Sequence, residues 1–125
     1  MMGDATHATS PFQGAGAGQA IGDALVLLTL FLPVTTQAQI KPTLTAYDSV
    51  KRLRSQKVVA TSRGALKLFC FNDGYVKGDR QRWKKTWDGR MDWLRGVDLL
   101  KQDEEALNAY GNSIKRQPSA SKGML

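Results

Sequence analysis

Gly3-Asp4-Ala5-Thr6-His7-Ala8-Thr9-Ser10-Pro11-Phe12-Gln13-Gly14-Ala15-Gly16-Ala17-Gly18-Gln19-Ala20-Ile21-Gly22-Asp23-Ala24 is the stretch on which the reading of this chain turns. The alternating glycines Gly14, Gly16 and Gly18 strip side chains from a backbone that must come close to something flat or anionic. Pro11 stiffens the approach and gives up one N–H. The apolar run Ala20 to Leu32 follows at once and is rich in helix formers. A helix beginning near Gly16 points its free N–H groups and positive dipole end back at the glycine turn. Such an end attracts negative charge, most often a phosphate. Asp4, directly after a glycine, offers a carboxylate that accepts hydrogen bonds from sugar-type hydroxyls.

The same residues resemble the second flavin-binding motif of FAD-dependent aromatic hydroxylases, the salicylate-hydroxylase-like class of single-component flavoprotein monooxygenases. The shared features are Gly3-Asp4, His7 after two small residues, the Pro11-x-x-Gly14-x-Gly16 turn, and a helix carrying Asp23-Ala24 about two turns in. The resemblance implies a cofactor-binding set of Asp4, Pro11, Gln13, Gly14, Ala15 and Gly16. In it, Asp4 holds the ribityl chain of FAD, and the helix end meets the N1–C2=O edge of the flavin ring, which becomes anionic on reduction. It also implies that His7, the only histidine, shapes the motif rather than moving a proton, so no catalytic residue is assigned. Asp23 is expected to support the loop or neighbouring backbone. Departures from the pattern are Thr6 where Ala is usual and Gly22 where an acidic residue is common. In addition, Met1-Met2 replaces the apolar strand that leads into the motif.

A second region is similar to the same family. Ala46-Tyr47-Asp48-Ser49-Val50-Lys51-Arg52-Leu53-Arg54-Ser55-Gln56 resembles its Tyr-Asp-x-x-Arg-Arg-Pro-Arg-Ser-Gln stretch, with Lys51 for Arg and Leu53 for Pro. The resemblance makes this a helix packed behind the flavin site, with no catalytic role for its basic residues. Trp93-Leu94-Arg95-Gly96-Val97-Asp98-Leu99 looks like the Trp-Ile-Trp-x-x-Asp-Leu passage near the C-terminus of fungal members.

At 125 residues the chain is one ordinary domain in size. Residues 1–40 hold Asp4 and Asp23 and no Lys or Arg, whereas all 18 Lys and Arg lie beyond them, giving a formal net charge of +7. Because acidic residues are interspersed among these cations and no nucleic-acid motif appears, a solvated helical surface is expected and no specific nucleic-acid partner. Cys70 stands alone, so there is no disulfide framework and no Cys/His cluster for a metal. A lone thiol fits a reducing compartment, the cytoplasm. Ala24 to Leu32 is too short for a membrane span, and no basic residue precedes it as a signal peptide would require.

Along the chain, residues 1–17 read as a loop and 18–32 as a helix apolar nearly all round, hence buried on several sides. A connector over 34–41 ends at Pro42, which suits a helix start. The second helical region, 43–70, places Leu44, Tyr47, Val58, Ala65, Leu66 and Phe69 on one side. Lys51, Arg52, Arg54, Lys57, Arg63 and Lys67 fall mostly on the other, and Arg63-Gly64 marks a bend. Asn72-Asp73-Gly74 and Lys77-Gly78-Asp79 are turn signals, with Asp79 an N-cap for a helix over 80–95. Trp83, Trp87, Met91 and Leu94 line one face of it as a core or docking stripe. A fourth helix is expected over 97–109, and disorder after Gly111. The division expected is 1–70 (flavin loop and helices), 71–112 (C-terminal helices) and 113–125 (disordered tail).

The fold class expected is mainly α for the isolated chain, three to four helices after a glycine-rich loop, within a parent α/β FAD-binding monooxygenase fold. In the family the motif lies deep inside a chain several hundred residues long, whereas here it begins at residue 3. A C-terminal fragment is therefore expected, without the Gly-x-Gly-x-x-Gly turn that holds the FAD pyrophosphate and without the substrate-covering sheet. By resemblance the complete enzyme uses NADH or NADPH, FAD and O2 to hydroxylate a small aromatic substrate, and the chain alone is expected to be inactive. The alternative is a small non-enzymatic helical protein that binds a helical partner through Trp83, Trp87 and Met91.

Overall fold

The computed structural model describes residues 1–70, 72, 74 and 76–115. Helix α1 spans Asp4–His7, α2 Gly16–Phe31, α3 Ile40–Phe69, α4 Arg80–Arg95 and α5 Leu99–Lys115, with 3-10 turns at Pro11–Gln13 and Gln37–Gln39. No strand occurs among the described residues. The expected loop over 1–17 thus contains two short turns of helix. The last helix continues through Gly111 to Lys115, past the point where disorder was expected. The expected tail from residue 116 on, and Asp73 of the expected turn, lie outside the described residues.

Helix ends follow local chemistry. Beyond α2 the chain meets Pro33, which cannot continue a helix. Thr36 and Gln39 form a reciprocal capping box, in which Gln39 Oε1 accepts from Thr36 N at 2.9 Å. Asp79 caps α4 by accepting from Gln81 N at 2.9 Å and Arg82 N at 3.1 Å. Asp98 accepts from Lys101 N at 3.0 Å as α5 begins.

Helices α2, α3 and α5 share one core. Val26 and Leu30 of α2 meet Ala46 and Tyr47 of α3 and Ala106 and Tyr110 of α5. The two alanines carry little side chain where the helices approach, so the backbones draw close. Helix α4 docks separately, against the C-terminal end of α3. Phe69 sits edge-on to Trp87 at 5.0 Å and to Trp83 at 6.2 Å, while the two indoles stack at 5.8 Å. Phe12 covers Phe69 from the N-terminal segment at 5.7 Å, and Trp83 Nε1 donates to the Leu68 carbonyl at 3.1 Å. The Trp83/Trp87 face, which the non-enzymatic reading needs exposed, is therefore half-buried within the chain.

Two expectations change. Helix α2 is buried on one face only: Ile21, Leu28 and Leu32 are exposed among the described residues. On α3 Leu44 and Leu66 face outward and Leu68 inward, while Lys51, expected on the solvent side, is 3% exposed. Its register explains this, because Tyr47, Lys51, Val58, Ser62 and Ala65 recur at three-, four- and seven-residue spacing along the buried face. Helix α3 runs unbroken through Gly64. A Cβ there would lie 2.5 Å from Arg90 Nη1, so Gly64 is where the α4 arginine crosses α3 to reach the Thr61 carbonyl at 3.2 Å.

Candidate functional site

The glycine turn is held from behind. Pro11 opens the 3-10 turn, and Gly14 closes it at φ +60°, a left-handed conformation that glycine adopts without strain. Ser62 Oγ donates to the Ser10 carbonyl at 2.8 Å, and Thr61 Oγ1 to Gln13 Oε1 at 3.2 Å. Two small hydroxyls on α3 therefore pin the loop that precedes α2. Sequence reasoning missed both; the only local signal was a pair of adjacent hydroxyl residues, and α3 carries other hydroxyls such as Thr43, Thr45, Ser49 and Ser55.

Beyond the turn, α2 starts at Gly16, and its first-turn N–H groups have no partner within the helix. Methyl groups built at Gly14, Gly16 or Gly18 would meet no atom within 4 Å, so the outer surface of the turn is bare backbone. Asp4, Pro11, Gly14 and Gly16 are exposed and Ala15 is half-buried. Gln13 differs: it is 6% exposed, and its Nε2 has no partner. Of the expected set, Gln13, Gly14 and Ala15 line one cavity of about 320 Å³, together with Gly18, Gln19 and Gly22 of α2. Asp4, Pro11 and Gly16 do not line it. The far wall is Lys51 and Arg54 of α3 with Met91, Leu94 and Arg95 of α4.

Under this loop lies a buried charged knot. His7 Nε2 and Asp23 Oδ2 are 2.7 Å apart, and Lys51 Nζ stands 3.1 Å from Asp23 Oδ1. The Gly3 N–H also donates to Asp23 Oδ2, at 3.4 Å. An ionised carboxylate only accepts, so His7 Nε2 is the donor. All three side chains are 3% exposed or less. Burial pushes the Asp23 carboxyl up. The His7 hydrogen bond, the Lys51 ammonium and the Tyr47 hydroxyl outweigh that and hold it below the ordinary carboxylate range. Burial, joined by the Asp23 charge, drives the Tyr47 phenol well above its usual value. Asp23 thus ties the Gly3-Asp4 segment, α2 and α3 together. It supports neighbouring backbone, as expected, and His7 sits inside as part of that support.

The electrostatics of the cavity are one-sided. No Asp or Glu lines it, and among the described residues neither Arg54 nor Arg95 forms an ion pair with a carboxylate. Burial lowers the Arg54 guanidinium from its ordinary value, and its Cζ lies over the Trp93 ring, 5.6 Å from the ring centroid. No helix among the described residues is long and apolar enough to cross a membrane.

Comparison with known proteins agrees with this geometry. Residues 1–62 match the family model described as an FAD binding domain. A 6-methylsalicylate 1-monooxygenase of Aspergillus terreus is 60% identical over 99% of this chain, which covers 28% of that protein. A salicylate hydroxylase of Pseudomonas putida is 37% identical over 79% of the chain, covering 23% of the enzyme. A solved salicylate hydroxylase substrate complex superposes over 96% of the chain with a TM-score of 0.78 at 34% identity, covering 27% of that structure. The chain thus spans about 28% of the length of the first of these relatives. The motif, the helix that follows it and the superposition agree: the chain belongs to the salicylate-hydroxylase-like family of FAD-dependent aromatic monooxygenases.

Proposed function

We propose that this chain supplies the flavin loop and the supporting helices of a monooxygenase that hydroxylates a small aromatic substrate with NADH or NADPH and O2. The observation that carries the proposal is the bare turn Gly14–Gly18 in front of the α2 N-terminus. No side chain blocks it, and its unpaired N–H groups face the turn. The residues fit a flavin: glycines let a flat ring approach the backbone, and the helix end favours the negative charge that a reduced ring carries at its pyrimidine edge. FAD, when bound, supplies the redox chemistry and oxygen transfer. Gly14, Ala15 and Gly16 offer backbone N–H groups and open surface. Asp4, exposed at the head of α1, accepts from a polyol chain, and Pro11 and Gln13 hold the turn in shape. The His7–Asp23–Lys51 knot fixes Asp4 relative to α2 and takes no proton from substrate. The free, exposed thiol of Cys70 is compatible with a reducing, cytoplasmic setting.

The test is a chimera in which residues 3–110 replace the matching stretch of the Aspergillus terreus relative. The chimera is expected to retain FAD through gel filtration and to hydroxylate 6-methylsalicylate. Asp4→Ala within it is expected to weaken FAD retention at least about tenfold without loss of helicity. A folded chimera that holds no FAD, or an Asp4→Ala variant that holds it unchanged, refutes the assignment. The 125-residue chain alone is expected to bind FAD weakly or not at all; tight stoichiometric flavin on it refutes that part.

A further inference from the structure

The cavity that the glycine turn shares with α3 and α4 carries a set of cations and a buried amide that the backbone of the turn does not explain. Lys51, Arg54 and Arg95 line it, no acidic residue does, and Arg54 and Arg95 have no carboxylate partner among the described residues. Gln13 on its wall is nine-tenths buried or more and carries an unpartnered donor, Nε2, whereas the unpartnered Oε1 atoms of Gln19 and Gln102 are acceptors and call for a donor instead. A buried amide donor left unpaired costs about 1–3 kcal/mol, so Gln13 Nε2 marks a place where an acceptor is received. The rest of the wall is aliphatic: Met91, Leu94, Val97 and Leu99. Gly22 sits on the α2 side, where a Cβ would stand 3.2 Å from Lys51 Nζ. Any other residue at this position would place its Cβ against the Lys51 ammonium.

We propose that this cavity binds a small organic monocarboxylate with an aliphatic body. The carboxylate sits between the Arg54 and Arg95 guanidiniums, with Gln13 Nε2 as an added donor. The apolar body lies along Met91, Leu94, Val97 and Leu99. A guanidinium recognises a carboxylate through paired N–H donors, and in a partly enclosed cavity that recognition is stronger than at an open surface. At about 320 Å³ the cavity stands at the small end of ligand pockets and admits a six-carbon ring acid. Inorganic phosphate satisfies the cations and leaves the aliphatic wall unused, so the two chemistries separate in a titration.

The cavity shares Gln13, Gly14 and Ala15 with the proposed flavin loop, so the experiment uses the flavin-free 125-residue chain. Cyclohexanecarboxylate is titrated by heteronuclear NMR, beside its uncharged twin cyclohexanecarboxamide and inorganic phosphate. The expected result is saturable shifts at the Gly18, Gly22 and Leu94 amides. The acid should bind at least about tenfold more tightly than either control. Gly22→Glu places a tethered carboxylate in the cavity and is expected to abolish binding while leaving helicity and melting temperature equal or higher. Arg54→Gln, on the opposite wall, is expected to weaken binding at least about fivefold without a carboxylate being added. No saturable binding of the acid, equal binding of the amide, or undiminished binding in a folded Gly22→Glu chain overturns the proposal. None of these results bears on the FAD retention of the chimera, so the two readings fail separately.

Discussion

Asp23→Asn is the sharpest probe of how this structure is held together. The side chain keeps its shape and loses its charge, so what is measured is the electrostatic contribution of the knot. In the native chain Asp23 faces His7 Nε2 at 2.7 Å, Lys51 Nζ at 3.1 Å and Gly3 N at 3.4 Å. With Asn at this position Lys51 is left as an ammonium 3% exposed with no counter-ion, and His7 loses an ionised acceptor. Removing one partner of a buried pair costs about 3–5 kcal/mol. That is a large share of the roughly 5–15 kcal/mol that stabilises a domain. For a chain of this size it corresponds to a fall of roughly 10–20 °C in melting temperature.

Lys51→Met is expected to cost less, because Asp23 keeps the His7 and Gly3 donors and the new side chain fills similar volume. The double variant is expected to cost less than the two single costs together by at least about 1 kcal/mol. The acid dependence follows from the lowered carboxyl. An ordinary Asp titrates near about 3.9, so in the unfolded chain this group takes up a proton before it does in the folded one. Its contribution is therefore complete above about pH 5 and is lost as pH falls through the lowered folded value. Urea unfolding followed by far-UV circular dichroism at about pH 7 and about pH 3 measures both effects. A gap between native chain and Asp23→Asn below about 1 kcal/mol at neutral pH refutes the account. So does a gap that fails to narrow in acid.

Other outcomes follow from single contacts. Gly18→Ala meets no atom within 4 Å and lies in the first turn of α2, so it raises thermal stability by up to about 1 kcal/mol while weakening FAD retention in the chimera. Gly14→Ala also meets no atom, yet lowers stability by about 1–2 kcal/mol because its φ is +60°; calorimetry of the two variants distinguishes crowding from backbone strain. Gly64→Ala displaces the Arg90 guanidinium and gains helix propensity, so its net effect stays within about 1 kcal/mol. In an Arg90→Ala background the same change is expected to stabilise by about 1 kcal/mol, and equal effects in both backgrounds refute the crossing. Asp79→Ala removes the cap on Gln81 N and Arg82 N and costs about 1 kcal/mol in urea unfolding.

What the sequence made legible was what neighbours in the chain decide. Pro33, Asp79 and the Gly14–Gly18 turn act within a few residues of themselves, so the end of α2, the start of α4 and the glycine turn could be read directly, though not the two short helical turns before it. The support of the loop could not, because it comes from residues about fifty positions away. Ser62 reaches Ser10 and Thr61 reaches Gln13 only once α3 has been laid against α2. A hydroxyl has no hydropathy signature that announces such a reach. The cover of the α4 stripe was hidden for a related reason: the stripe was visible, but Phe69 meets it only across the turn that joins α3 to α4.

Lys51 shows why register outranks residue type. Charged side chains are rarely buried, and that rule sends a lysine on an amphipathic helix to solvent. Yet Tyr47, Lys51, Val58 and Ala65 lie on one face of α3, so the helix has no means of turning Lys51 outward without exposing Tyr47. The cost of burying the ammonium is offset by Asp23, and the room for it is made by Gly22, the neighbour of Asp23 on α2. A missing side chain at one position and a long one 29 residues later thus complement each other. The long one replaces the arginine, and the missing one the acid, that the family pattern leads one to expect at these two places. Both departures occur where α2 and α3 touch. Read together they describe one altered contact, in which the carboxylate facing the cations at position 22 is gone while Arg54 remains beside the opening. That contact borders Gln13, Gly14 and Ala15 of the glycine turn, and Asp23 connects it to His7 and to the Gly3 N–H of the N-terminal segment.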